Sequence, residues 1–434
     1  MTFKFLVPLW NKHVAFLGCM FVLLSGIGCK DDGKESSNGQ YNQAGVLISK
    51  PPIWQQDVTG KGTVTTAVSP AYYKDVVVVG GTDNAENDIL LALNVHDGSE
   101  QWSWSEFDLP GERVYDINNG EYGVNQKDSL WILQYDEHLY ALDLSTGATL
   151  WTDVRDGYYG VLGVQIVGEH YYTTFDLFEG DQSVPTLIKG EIGSTVHDSI
   201  YSPPISKIAN YNGSYGSMNE PLIYEIDGEV HAFLTFIEFI DLEDYKEIHY
   251  MSSINLTTGK MDFEKTQLGD TSAMPFSQRP VLVGDVVVVN ANGKMHGINR
   301  SNGDVIWTYS PFESPFDGHL AYAEYKGNIY GVNDAGDLLV VSLNASTGEV
   351  NWENRTVGGT DQVYFLNDVM YFSTGHLYAF DTQTGQMLWD FLPEGVEIYQ
   401  RYGGIRAIPA SDDSEKGKIL ACSFSNCYCF EAER

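Results

Sequence analysis

Residues Leu139–Trp151 read LYALDLSTGATLW, a strand, a tight turn and a second strand that ends in an indole. The phrase recurs. Ala141, Asp143, Thr146, Gly147 and Trp151 share their spacing with Ala92, Asn94, Asp97, Gly98 and Trp102. The same spacing returns as Gly297, Asn299, Asn302, Gly303, Trp307, as Ser342, Asn344, Thr347, Gly348, Trp352, and as Ala379, Asp381, Thr384, Gly385, Trp389. A weaker copy is Ser253, Asn255, Thr258, Gly259 and Phe263. The chain is a repeat array.

Each residue type has a mechanical reason for its place. Apolar residues at every position from Leu139 to Leu142 suit a strand covered on both faces, and the Asp or Asn that follows can hydrogen-bond the turn backbone. Glycine takes a left-handed conformation there that a β-carbon would make costly. The indole four residues on is expected to bury itself against a neighbouring unit, with the small Ala, Gly or Ser leaving room. Such hairpins cannot bury themselves alone.

Repeats of about 40–50 residues with short strands and a periodic Gly/aromatic signal point to a propeller of four-stranded antiparallel blades. The Ala-x-Asp-x-x-x-Gly-x-x-x-Trp phrase resembles the tryptophan-docking motif of the PQQ-type β-propeller repeat family, and the likeness covers nearly all of the chain after residue 45. That family includes quinoprotein dehydrogenases and a non-enzymatic lipoprotein that assists outer-membrane β-barrel assembly. The resemblance implies an all-β fold in which Trp54, Trp102, Trp151, Phe263, Trp307, Trp352 and Trp389 mark blade ends. The wide gap from Trp151 to Phe263 holds a degenerate blade ending near residue 205. After Trp389 the chain supplies inner strands but no final Trp-bearing strand, which Trp54 can provide from the other end. Eight blades closed by pairing of the N- and C-terminal strands are expected, with seven as the alternative.

The first 28 residues read as a secretory signal: two lysines, then the apolar run HVAFLGCMFVLLSGIG, too short for a membrane span. Gly26-Ile27-Gly28-Cys29 resembles a lipobox, although Gly stands where Leu is usual, and this makes Cys29 the expected lipidated residue. Residues 29–45 are a polar, acidic tether, and 46–434 one propeller domain. Lys30-Asp31-Asp32 is not an inner-membrane retention signal, and CKDD resembles the acidic tag of surface-exported lipoproteins. An outer-membrane lipoprotein, facing the periplasm or the surface, is expected.

The 434-residue chain has 25 basic and 59 acidic residues, and loss of Lys4 and Lys12 with the leader leaves the mature protein at about −36. This excludes nucleic acid and adsorption to anionic lipid as binding modes. The acidic groups Asp83–Asp88, Asp176–Asp181, Asp241–Glu247 and Asp412–Glu415 fall where loops are expected and lack calcium-loop spacing, so they read as solvated loop charge. No HExxH, GxSxG or CxxCH occurs, and there is no adjacent-cysteine pair of the kind carried by quinoprotein dehydrogenases. No catalytic, cofactor-binding or metal-binding residue is therefore assigned, and neither PQQ nor calcium is expected.

Of the cysteines, Cys422, Cys427 and Cys429 lie beyond the leader. A two-residue turn at Ser425-Asn426 would place Cys422 opposite Cys429, so the expectation is either a Cys422–Cys429 disulfide with Cys427 left over, or three reduced thiols. Ser69, Glu220, Arg279 and, more loosely, Tyr322, Gln362 and Arg406 occupy comparable places ahead of the innermost strand of each unit. They either face channel water or form a mouth for a small anionic or sugar-like ligand or an acidic partner loop, with the two arginines as anion holders. The functional expectation is a monomeric, membrane-anchored binding or scaffolding propeller with an envelope protein partner or small surface ligand. The alternatives are a quinone-dependent dehydrogenase-like enzyme and a surface carbohydrate-binding protein.

Overall fold

The computed structural model describes residues 50–434 except 59–69, 83–87, 107–116, 119–123, 136–137, 155–157, 160–162, 180–181, 209–212, 242–245, 269–278, 313–319, 334–337, 360–361, 374–375, 393–401, 411–415 and 424. The leader, the tether, Cys29 and Ser69 lie outside the described residues.

Every described element is a strand, and the strands form seven hydrogen-bonded sheets. The first sheet is Ala71–Tyr73, Val76–Thr82, Asp88–Asn94 and Glu100–Trp104, in that order. Its second strand opens VVVV and is buried on both faces. Such β-branched runs suit a strand sandwiched between two neighbouring sheets. Three further four-stranded antiparallel sheets run from Val281 to Tyr309, Ala321 to Asn354 and Tyr364 to Phe391. The second sheet is built on Leu130–Tyr135, His138–Asp143 and Thr149–Val154, and both Ile117–Asn118 and Gln126–Lys127 pair with the first of these.

A terminal sheet joins Tyr402–Ile408, Lys418–Ser423, Asn426–Glu431 and, from the other end of the chain, Trp54–Asp57. Trp54 lies opposite Cys429 and Asp57 opposite Asn426. This sheet packs through Leu420, Cys427 and Cys429 on Val77 and Leu91 of the first sheet. Through Ile419 and Phe430 it packs on Tyr371 and Trp389.

Residues 158–267 depart from this plan. Their strands form one ten-stranded sheet, because Gln182–Glu191 pairs in parallel with Ser214–Met218. Strands His170–Glu179, Gln182–Glu191, Glu229–Asp241 and Lys246–Asn255 are 10, 10, 13 and 10 residues long. Five strands of this sheet precede residue 205, and the sheet continues beyond it through the parallel pair. Two of the expected loop charges are in fact interior groups. Asp176 lies within a strand and is buried, and Glu247 is buried against His249 at 2.8 Å. Long strands carry these positions inward, where sequence-local reasoning places a turn. Asp83 and 411–415 lie outside the described residues.

The cysteine pairing also differs from expectation. Cys422 is bonded to Cys427, its direct cross-strand partner, and Cys429 is a free buried thiol opposite Leu420. The hairpin turns one residue earlier than the sequence suggests. Ser423 sets the turn, its hydroxyl accepting from the Asn426 amide at 3.1 Å and donating to the Asn426 carbonyl at 3.1 Å. A one-residue displacement of the turn moves the whole register.

Candidate functional site at the head of the inner strands

The repeat motif holds neighbouring units together in a more specific way than the sequence implies. The small residue is the cross-strand partner of its own tryptophan, as in Ala92 with Trp102, Ser342 with Trp352 and Ala379 with Trp389. The tryptophan then lies on the turn glycine of the next unit: Trp54 on Gly98, Trp102 on Gly147, Phe263 on Gly303, Trp307 on Gly348 and Trp352 on Gly385. The indole N–H donates to the carbonyl three residues before that glycine, from Trp54 to Val95 at 3.1 Å and from Trp307 to Ala345 at 2.9 Å. Among the described residues, Trp151 and Trp389 meet no such turn glycine, and their buried N–H groups have no acceptor. Trp151 stacks on Tyr171 instead, and Trp389 packs against Phe430 with the Lys50 ammonium 5.6 Å from its ring. These tryptophans are structural, and the site must be sought elsewhere.

The innermost strands approach one another: Tyr402–Ile408 touches both Ala71–Tyr73 and Tyr364–Leu366, Val281–Val283 touches Ala321–Tyr325, and Val164–Val167 touches Leu222–Ile226. Glu220, Arg279 and Gln362 each stand two residues ahead of such a strand. Tyr322 and Arg406 sit within theirs, and Arg406 lies opposite Leu420.

Three consecutive sheets meet through these residues. Gly163, at φ 72°, precedes Val164–Val167, and a β-carbon on it would stand 2.4 Å from Cδ of Glu220. The Glu220 carboxylate lies 3.7 Å from Nη1 of Arg279, and both residues are more than nine-tenths buried. The carbonyl of Arg279 accepts a hydrogen bond from the Tyr322 hydroxyl at 3.1 Å. Burial of this pair requires mutual compensation, because an isolated charge there would be costly. Among the described residues, Nε and Nη1 of Arg279 have no hydrogen-bond acceptor. Gln362 makes a local contact, accepting from the Tyr364 hydroxyl at 2.8 Å, and Arg406 is half-buried with its charge felt by Tyr72. The structure thus links Glu220, Arg279 and Tyr322. The close approach at Gly163 escapes sequence reading, although a glycine directly ahead of an apolar strand is a usable signal.

A cleft of about 360 Å³ opens between the sheets of residues 321–354 and 364–391. Its polar lining is mutually paired: Tyr325 and Lys326 both donate to Asp368, and Tyr330 and Trp352 both donate to the Thr382 carbonyl, at 3.2 and 2.9 Å. Among the described residues, no three His, Cys, Asp or Glu side chains converge to hold a metal ion.

An array of four-stranded antiparallel sheets, locked by tryptophan on glycine, defines the PQQ-type propeller class. Within it, the model of the family described as outer membrane protein assembly factor BamB matches residues 32–174, 242–391 and 303–426, and the chain belongs to that family. Among solved structures it is similar to BamB from Moraxella catarrhalis, at 14% identity and TM-score 0.53, covering 89% of this chain and 99% of that one. It is also similar to the quinohemoprotein alcohol dehydrogenase from Comamonas testosteroni, at 11% identity and TM-score 0.55, covering 89% and 79%. For Saccharomyces cerevisiae Sqt1 the values are 12% and 0.58, covering 89% and 100%. At such identities the likeness is one of fold. Among curated proteins none is close enough in sequence to count as a relative.

Proposed function

We propose that this chain is a binding and scaffolding propeller of the cell envelope, held at the outer membrane through lipid on Cys29 and engaged in envelope protein assembly. The observation that carries this reading is the BamB family match over most of the chain. We read the ten-stranded sheet as two blades, from Val164 to Tyr201 and from Leu222 to Gln267, which with the six other units gives eight. The pairing of Trp54–Asp57 with Asn426–Glu431 then completes the ring. The partner face is the mouth ahead of the inner strands, where the half-buried Arg406 is the more available of the two arginines. Cross-linking in intact cells, then purification and mass spectrometry, should recover an envelope protein, and Cys29→Ser should release the chain from the membrane fraction. Recovery of no envelope protein, or unchanged membrane retention with an uncut leader, would overturn the assignment.

A second reading, a quinone-dependent dehydrogenase, is favoured by the fold likeness to quinohemoprotein alcohol dehydrogenase. It is tested by titrating PQQ, with and without calcium, against tryptophan fluorescence. No saturable quenching is expected.

A further inference from the structure

The seam between the first and terminal sheets contains a relay of ionisable groups that neither the fold nor the repeat motif requires. Lys418 opens its strand and is 8% exposed. Its ammonium donates to the Val95 carbonyl at 3.1 Å and to Nδ1 of His96 at 2.9 Å. The same carbonyl receives the indole N–H of Trp54 at 3.1 Å and faces the Cys429 thiol at 3.8 Å. One peptide oxygen therefore gathers the N-terminal strand, two strands of the terminal sheet and a turn of the first sheet. On its other side, Nε2 of His96 lies 3.0 Å from the Asp75 carboxylate.

The direction of each bond fixes the protonation state. An ammonium can only donate, so Nδ1 of His96 must be the acceptor, and the ring proton sits on Nε2, facing Asp75. A second proton on the ring would remove that acceptor and set a new cation 2.9 Å from a buried one. The two neighbouring charges are not equally screened. Asp75 has a 69% exposed side chain, so water weakens its attraction for an imidazolium, whereas the Lys418 side is enclosed. Of the other groups near the ring, Asp97 adds an anion whose attraction water screens. Asp97 is exposed and held low by the Ser99 hydroxyl and amide. The Cys429 thiol is pushed up to about 12 by burial and stays neutral. The Tyr72 phenol is raised by burial and by Asp75, with Arg406 opposing.

We propose that Asp75, His96 and Lys418 form a proton-sensitive latch, so that the seam joining the two ends of the chain is held while His96 is neutral and loosens when it is protonated.

The test is amide hydrogen exchange on the full processed protein, read on the segments 50–58 and 93–99 after correction for intrinsic rates. Between about pH 7.5 and about pH 5.5, seam protection in the wild type should fall about ten-fold, and more than in the sheet of residues 321–354. His96→Gln keeps an oxygen able to accept from Lys418 but cannot take up a proton, so its seam protection should be the same at both pH values. Lys418→Met removes the repelled charge, and it should lower protection at both pH values while abolishing the difference between them. An acid-induced loss in either variant as large as that of the wild type would overturn the proposal. If His96→Gln already lacks seam protection near neutral pH, Lys418→Met alone decides.

Discussion

Trp307 lies flat against Gly348 of the following unit, so close that a β-carbon there would stand 2.6 Å from its Cδ2 atom. Gly348 also holds φ 71°, so the position is closed to other residues by both conformation and space. Gly348→Ala should cost roughly 1–3 kcal/mol from the backbone alone, and more once the indole is displaced. Trp307→Ala should cost about 3–5 kcal/mol. Because both act on one contact, the double variant should be less destabilised than the sum of the two, as measured by urea unfolding.

Arg279 and Glu220 should behave as a structural pair. Arg279→Ala leaves a buried carboxylate without its counter-charge and should cost about 3–5 kcal/mol, whereas Arg279→Met combined with Glu220→Gln should be nearly neutral. Melting curves of the two variants check this. An Arg279→Ala protein of unchanged stability would point to a ligand-binding role for the guanidinium.

Asp176 gives a pH signature. Burial holds its carboxyl well above the usual range, against the opposing hydrogen bonds from the Ser217 hydroxyl and the Met218 amide. The folded state therefore binds a proton that the unfolded state releases, and this group's contribution to stability falls as pH rises from the ordinary carboxyl value to the raised one. Asp176→Asn should raise the melting temperature at neutral pH and leave it unchanged in acid below the ordinary value. A variant that is less stable at neutral pH would refute this.

The Cys422–Cys427 bond closes a short loop, so replacing both residues with Ser should cost about 2 kcal/mol. Cys429→Ser should leave the disulfide intact, which mass spectrometry of peptides under non-reducing conditions would show. Finding Cys422 linked to Cys429 would reinstate the register expected from a Ser425-Asn426 turn.

The repeat was legible because its determinants are local: the turn glycine, the acidic or amide residue before it, and the small residue facing the indole all lie within one hairpin. Glu220, Arg279 and Tyr322 were legible as unusual polar or aromatic positions, but their linkage was not, because it runs from one sheet to the next. The region from Tyr158 to Gln267 resisted reading for the same reason. Its hairpin strands run to 10 and 13 residues and are joined into one sheet by the parallel pairing of Gln182–Glu191 with Ser214–Met218, and Asp176 and Glu247 lie in its interior. In the last hairpin the hydroxyl of Ser423, not a glycine, sets the turn, and composition alone did not reveal it.

The pairing of Trp54–Asp57 with Asn426–Glu431 has a consequence for how the protein is made. Gln55 and Asn426, which hydrogen-bond across it, are 371 residues apart, so the outer strand of the terminal sheet emerges long before the strand it pairs with. Until then Trp54 has no Cys429 strand beside it, and the first sheet waits with an open flank. Closing so long a loop is slow compared with forming each hairpin. The segment Trp54–Asp57 is thus a part of the nascent chain that waits long for its strand partner.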